Sequence, residues 1–467
     1  MIGIRKQMVQ LKLNTHQHVM DKLERLREWQ WLSPDAMKSQ QNAKLEALLK
    51  HAYEHVPYYR QLMVLNGLVE KGQIRLDRFD RLPFLDKDIL RDCFQSMQSD
   101  DLAGRKWREN SSGGSTGKQA VFIQDDDYQN WSQANKILFD EWSGRSLGDK
   151  QIRLWGSVRD IMVGKETWRT YTGRWLRNEI WLNAYNMSDD RMDVYVRTIN
   201  RFKPRQILSY VESIYNLARY IKRRGISIHA PHAIMTTAGV LTEEMRGVIE
   251  EVFQTEVFNR YGSREVGDMA CECSTHKGLH VSEFYTYLEI VRDDGTPADP
   301  GEVGHIVVTS LANYAMPLIR YRIGDMGAWS EESCGCGRPH RMLREVIGRE
   351  SDMFYTTSGA QFHGSIFTLM MFKQQWVKQY QVVQEQLDLL RIRLVDSEGP
   401  EGSKDRSREL DAIADEMRRI MGNGCRVEFE FTTHIEASAS GKFRYIICNV
   451  DPAQLPGHEP SDAGIGV

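Results

Sequence analysis

The sequence predicts an α/β protein: a large multi-layer N-terminal domain with parallel sheets and a β-rich lobe, followed by a small α+β C-terminal domain. Three observations carry this. Strand-like and helix-like segments alternate from Gln151 to Arg260, the pattern of a parallel sheet with crossover helices. After Glu283 two alternating runs flank a turn rich in Asp, Gly and Pro, which reads as an antiparallel hairpin. After Arg349 a separate set of strand, strand, helix and strand signals follows.

The elements follow in order. Residues from about Met37 to Leu62 carry a helical apolar period, and Leu85 to Phe94 reads as a short helix. Gln151–Trp155, Gln206–Tyr210, His232–Thr236 and Glu256–Arg260 are compact strands, with helices over Ser213–Arg224 and Thr242–Phe253. YTYLEIV and HIVVTSL form the hairpin. In the last region VKQYQVVQEQ and DLLRIRLVD are strands, EGPEGSKDRS is a polar loop, Arg408–Met421 is an amphipathic helix, and CRVEFEFT alternates like a half-buried strand. Chain ends are commonly mobile, and the tail from Pro452 is expected to be so.

Composition narrows the class. The chain has 467 residues, room for two or three domains at ~150 residues each. Apolar residues make up 41% and the net charge is −3, so nothing global points to nucleic acid or a membrane surface. No apolar run approaches the ~20 residues of a transmembrane helix, and MIGIRKQMVQLKLNTHQ lacks the form of a signal peptide. A cytoplasmic protein is expected. Of the seven cysteines, four form two C-x-C pairs, which in a reducing compartment favours metal ligation over disulfides.

The strongest local motif is Ser111-Ser112-Gly113-Gly114-Ser115-Thr116-Gly117-Lys118. Glycines let backbone N–H groups approach phosphate oxygens, and the hydroxyls and lysine add charge-assisted bonds. A Walker A loop needs glycine where Ser112 stands and Ser or Thr where Gln119 stands, so that class is excluded. A flexible linker would not be expected to end in Thr-Gly-Lys before the strand-like AVFI.

Further motifs come in sequence: HAYEHVPYYR, the phosphate loop, TTAGVLTEE, NRYGSREVG, YRIGDMG, IGRESD and SASGKFR. In this order they resemble the adenylate-forming superfamily, specifically the phenylacetate–CoA ligase-like branch that includes CapK-type proteins, over nearly the whole chain. The resemblance implies ATP, Mg²⁺ and a small-molecule carboxylic acid as reactants, with CoA or a carrier-protein thiol as acyl acceptor. It implies two steps, acyl-adenylate formation with release of pyrophosphate and then thiol attack. AMP transfer to another acceptor and a non-catalytic nucleotide-binding homologue are the alternatives.

By the same resemblance Glu265 ligates Mg²⁺, Tyr261 lies at adenine and Asp325 accepts from the ribose. Lys442 bridges the carboxylate and the α-phosphate, and Arg349 reaches the nucleotide. Thr237, Ala238 and Gly239 belong to the adenine loop, and Asn259, Arg260, Gly262 and Ser263 to the motif around Tyr261. The C-terminal domain, from 351 onward, becomes a mobile lid on an adenylation domain of residues 1–350, pivoting at Ser351 or Asp352. Trp155, Tyr210 and Val211, with Ala238 and Gly239, either line the acyl pocket or are ordinary core residues.

Cys273, His280, Cys334 and Cys336 match a ligand pattern of that branch for a structural zinc in a lobe of about 270–340, with Cys271, His276 and His340 in reserve. Thiolates and imidazoles suit tetrahedral Zn²⁺. A homodimer is expected on general grounds.

Overall fold

The structure, a computed structural model, describes residues 18–112, 120–156, 168–184, 187–356, 358, 360–372, 374, 376–396, 406–436 and 444–450. It divides into two compact units, Met1–Val346 and Ile347–Val467.

The first unit opens with helices α1 (Val19–Trp29), α2 (Pro34–His55) and α3 (Pro57–Leu65). The single helical run expected from Met37 to Leu62 is thus two helices. Pro57 has no N–H and pushes the preceding residue out of the helical region, and Val56 is extended at φ −118° and ψ 105°. A short ladder of β1 (Val69–Glu70) and β2 (Gln73–Ile74) follows, then α4 (Lys87–Asp92), capped by the Asp86 carboxylate. β3 (Trp107–Ser111) and β4 (Val121–Asp125) pair antiparallel and lead into α5 (Asp126–Trp142). Asp125 caps α5 by accepting from Tyr128 N at 2.8 Å.

Next come β5 (Gln151–Trp155), α6 (Trp168–Arg177), β6 (Glu179–Asn183), α7 (Asp189–Phe202), β7 (Gln206–Tyr210), α8 (Val211–Arg224), β8 (Ala233–Thr237), α9 (Glu243–Phe253) and β9 (Val257–Ser263). The alternation gives parallel pairing of β6 with β5, β5 with β7, β7 with β8 and β8 with β9. The sheet then turns antiparallel through β10 (Gly267–Glu272), β11 (Leu279–Val281) and β15 (Met342–Arg349), and includes β12 (Thr286–Val291), β13 (Val303–Ser310) and β14 (Tyr321–Trp329). All eleven strands form one sheet in the order β12-β13-β14-β15-β11-β10-β9-β8-β7-β5-β6. The β-rich lobe is therefore a continuation of the parallel sheet.

Strand alternation sorts the side chains. On one face Leu208, Met235 and Phe258 pack with Trp131 and Phe139 of α5 and Leu23 and Leu26 of α1. On the other, Ile152, Ile207 and Ile234 are buried, α8 packs on β7 and β8, and α9 packs on β9. A second core joins Leu45, Leu48 and Leu49 of α2 to Val266, Leu279, Ile306 and Val308. Each such side chain contributes about 1.5–3 kcal/mol through burial.

The second unit contains the ladder of β16 (Met353–Tyr355) and β17 (Gln361–His363), helix α10 (Ser365–Phe372), and a four-stranded sheet. That sheet has the order β20 (Arg426–Phe431), β19 (Leu389–Asp396), β18 (Val377–Gln386), β21 (Ile446–Cys448), with α11 (Ser407–Met421) against β20. The strand–strand–helix–strand unit read from the sequence thus gains β21, which pairs parallel with β18. Gln384 is fully buried and holds β16 by accepting from Tyr355 N at 3.0 Å and donating to Tyr355 O at 2.7 Å.

Candidate active site at the carboxyl ends of the parallel strands

In open α/β sheets, ligands bind beyond the carboxyl ends of the strands. Trp155, Tyr210, Thr237 and Ser263 end β5, β7, β8 and β9. The rings of Trp155 and Tyr210 meet at 4.5 Å between centroids, and Tyr210 Oη donates to the carbonyl of Gly156 at 3.3 Å. Both are half-buried, whereas Val211 is fully buried.

After Thr237 the chain turns sharply. Ala238 has φ +62°, a left-handed conformation that a non-glycine residue adopts at a cost and that collects at functional sites. A Cβ on Gly239 would stand 2.5 Å from Oε1 of Glu212, so the Glu212 carboxylate from the first turn of α8 lies directly against this loop.

Tyr261 and Asp325 meet: the tyrosine hydroxyl donates to Oδ2 of the aspartate at 2.7 Å. Glu265 is buried in the turn between β9 and β10. That turn is held by its main chain. Gln124 Nε2 donates to the carbonyls of Arg264 at 3.0 Å and Glu265 at 3.1 Å, and Ser263 Oγ accepts from Val266 N at 3.3 Å. The Glu265 carboxylate therefore need not bear the turn's hydrogen bonds.

Other members of the motif serve the frame. Arg260 faces the opposite side of β9 from Tyr261 and lies 3.3 Å from Oδ2 of Asp268. Asn259 N donates to Glu272 Oε2 at 2.8 Å, and Glu272 also binds Arg246 at 2.6 Å and His276 at 3.1 Å. Period-two alternation along β9 already separates Arg260 from Tyr261. No sequence signal marked Gln124, Glu272 or Glu212.

Ser111 and Ser112 are buried at the base of the phosphate loop. Ser112 N donates to Ala120 O, and Ser112 Oγ accepts from Ala120 N, each at 2.9 Å. Gly113, Gly114, Ser115, Thr116, Gly117 and Lys118 lie outside the described residues, as does Lys442. Arg349 ends β15 in the second unit. Of the two pivot residues named above, Asp352 accepts from Arg444 at 2.7 Å within that unit.

Away from these strand ends, ligand atoms of Cys273, His280, Cys334 and Cys336 all lie within 4.8 Å of one another. The Sγ atoms of Cys273 and Cys334 are 3.6 Å apart, and Cys336 Sγ is 3.4 Å from His280 Nε2. A tetrahedron built on Zn–S of ~2.3 Å and Zn–N of ~2.05 Å has edges of about 3.8 and 3.6 Å, so the residues fit the ion. Burial lowers the pKa of His280 to about 4, which keeps the imidazole neutral and able to ligate. Burial also pushes the Cys273 thiol up to about 11, a direction a divalent cation reverses. Arg338 N donates to Cys336 Sγ at 3.4 Å. His276 is turned to Glu272 at 3.1 Å, and Cys271 is buried in the apolar core under α5.

The fold is that of AMP-forming acyl-CoA ligases of known structure. In sequence the chain is similar to CapK and to phenylacetate–coenzyme A ligases. Residues 354–449 match the family model of the CapK C-terminal domain. Protein CapK of Staphylococcus aureus is 25% identical over 449 residues, 94% of each chain. A phenylacetate–coenzyme A ligase of Thermus thermophilus is 27% identical over 370 residues, 76% of this chain and 80% of the relative. The crystal structure of 2-hydroxyisobutyryl-CoA ligase in the postadenylation state, in complex with R3-HIB-AMP, superposes with a TM-score of 0.70 at 18% identity. It covers 90% of this chain and 91% of the ligase.

Proposed function

We propose that the protein activates a carboxylic acid with ATP as an acyl-adenylate, releases pyrophosphate, and passes the acyl group to the thiol of coenzyme A. The observation that supports this is the contact of Tyr261 of β9 with Asp325 of β14 near the carboxyl end of a parallel strand, with Glu265 buried in the turn that follows β9. Relatives named phenylacetate–coenzyme A ligase support the acceptor.

In this reading Asp325 accepts from the ribose while held by Tyr261, and the Thr237–Gly239 loop lies against adenine. The backbone donors of Gly113–Gly117, with Lys118, take the phosphates. Mg²⁺ at Glu265 supplies charge neutralisation when bound, since a hard cation prefers carboxylate and phosphate oxygens. Lys442 offsets the repulsion between the attacking carboxylate and the α-phosphate. Positioning and electrostatics carry such a displacement with little covalent help. The second unit acts as a lid, and a lid that excludes water protects the mixed anhydride from hydrolysis. Trp155 and Tyr210 floor the acyl site, whose flat pair suits an aryl or arylacetic acid. Zinc at Cys273, His280, Cys334 and Cys336 is structural, because four protein ligands leave no open position.

The test is acid-dependent exchange of pyrophosphate into ATP across a panel of acids, followed by mass detection of a CoA thioester. Exchange that depends on the acid and is lost in Lys442→Ala is expected. Absence of exchange with every acid, or wild-type exchange in Lys442→Ala, overturns the reading.

A further inference from the structure

Helix α5 with its C-cap Ser143 presents one stripe to the sheet, formed by Ser132, Asn135, Lys136, Phe139, Asp140 and Ser143, spaced three and four apart. Both ends of the stripe are anchored. Asn135 Nδ2 donates to the carbonyl of Asp268 on β10 at 2.8 Å, and Ser143 Oγ accepts from Gln206 of β7 at 2.7 Å. Ser132, Asn135, Phe139, Asp140 and Ser143 are all buried. Lys136, in the middle of the stripe, is exposed.

A sheet-facing side chain among buried neighbours can reach water only if helix and sheet part there. Burial is also the largest influence on the Lys136 ammonium and lowers its pKa. A group that touches water yet is crowded by protein stands in a water-filled recess. The strand residues on the same face are Arg153 and Trp155 of β5, Tyr210 of β7 and Arg260 of β9 by alternation. The Trp155–Tyr210 pair thus lies on the face of the sheet that Lys136 faces, two residues along β5 from Arg153.

Charge in the recess is unbalanced. Arg153 is paired with Glu179 at 3.3 Å and Arg260 with Asp268 at 3.3 Å. Among the groups that act most strongly on Lys136, Asp268 is the acid, and Arg260, Arg153 and Arg108 are cations. Among the described residues no carboxylate lies within ion-pair distance of Lys136. A cation crowded by cations in a concave, partly dry site favours an anion from outside.

We propose that this recess is the far end of the acyl site and that Lys136 pairs with a second carboxylate of the substrate, making the preferred acids dicarboxylic. The inference rests on the adenylation reading above and names its substrate class. One carboxylate goes to the nucleotide at the strand ends. The other is taken by Lys136, beyond the aromatic pair.

The experiment compares pyrophosphate exchange for matched acids, phenylacetate against 4-carboxyphenylacetate and hexanoate against adipate, in wild type, Lys136→Met and Lys136→Arg. Calorimetric titration of the same acids without ATP accompanies it. Wild type is expected to favour each diacid by ~10-fold or more in kcat/KM, because a cation crowded by protein and left without a partner discriminates strongly. Lys136→Met should erase that preference and weaken diacid binding by a similar factor while KM for ATP holds, and Lys136→Arg should keep it. Equal or better use of the monoacids, or a Lys136→Met variant with wild-type preference, overturns the inference and leaves adenylation standing. No exchange with any acid overturns adenylation. Calorimetry then still reads the recess, and diacid binding unchanged in Lys136→Met, or absent, overturns this inference too.

Discussion

Tyr261 donates its hydroxyl to Asp325 at 2.7 Å although their strands are not neighbours. β15, β11 and β10 stand between β14 and β9 in the sheet order. Four strand spacings in a flat sheet would set the two about 19 Å apart, beyond any pair of side chains. The sheet therefore curls, and this contact reports the curl directly. Tyr261→Phe should leave the melting temperature nearly unchanged. It should raise KM for ATP by up to ~10-fold, the scale of one hydrogen bond to a charged acceptor. A KM equal to wild type would separate Asp325 from the nucleotide.

Gly262 marks the closest approach of β9 and β10. A Cβ there would stand 2.7 Å from Asp268 Cα and 2.7 Å from the carbonyl of Gly267. Both are backbone atoms of a paired strand and have little room to give. Gly262→Ala should destabilise the first unit by about 1–3 kcal/mol. It should also cut exchange activity by displacing the Glu265 turn. Thermal unfolding and activity at wild-type stability would together show a tolerant turn instead.

Glu265 and Gln124 separate frame from chemistry. Gln124 holds the carbonyl of Glu265, not its carboxylate. Glu265→Gln should therefore fold normally and raise the Mg²⁺ concentration for half-maximal exchange by ~10-fold or more. Gln124→Ala should lower stability by about 1–3 kcal/mol, because it strips a buried donor from two carbonyls. A Glu265→Gln enzyme with unchanged Mg²⁺ dependence would end its assignment as the metal ligand.

Zinc content is a separate measurement. Elemental analysis should give close to one zinc per chain, and chelation or Cys334→Ser should lower the melting temperature by ~5 °C or more, on the order of 2 kcal/mol. The thiols of Cys273 and Cys334 at 3.6 Å are too far apart for a disulfide and suitably spaced for a shared ion. Purified protein without bound metal would remove the assignment.

Much of the parallel half was legible because its signals are local. The strands at Gln151 and Gln206 appear where the apolar runs place them, since a buried strand needs only its own residues to be apolar. The helix break at Val56 was missed although Pro57 signals it, because the apolar period runs on across the proline. The two C-x-C pairs suggested a metal, the resemblance to the family's ligand pattern singled out the four residues, and the structure brings their ligand atoms together. Gln124, Glu272 and Lys136 escaped notice because their roles depend on partners far away in the chain, which no periodicity encodes.

By itself the sequence determined the element types, the glycines where backbones crowd, and the order of motifs along the chain, because each depends on a few neighbouring residues. Tertiary structure alone decided that Asp325 reaches Tyr261, that Arg260 turns away to Asp268, and that Lys136 opens onto water beneath α5. Those outcomes depend on the curl of one eleven-stranded sheet and on how α5 sits against it. Both are set by the summed packing of residues far apart in the chain, a quantity no local pattern contains.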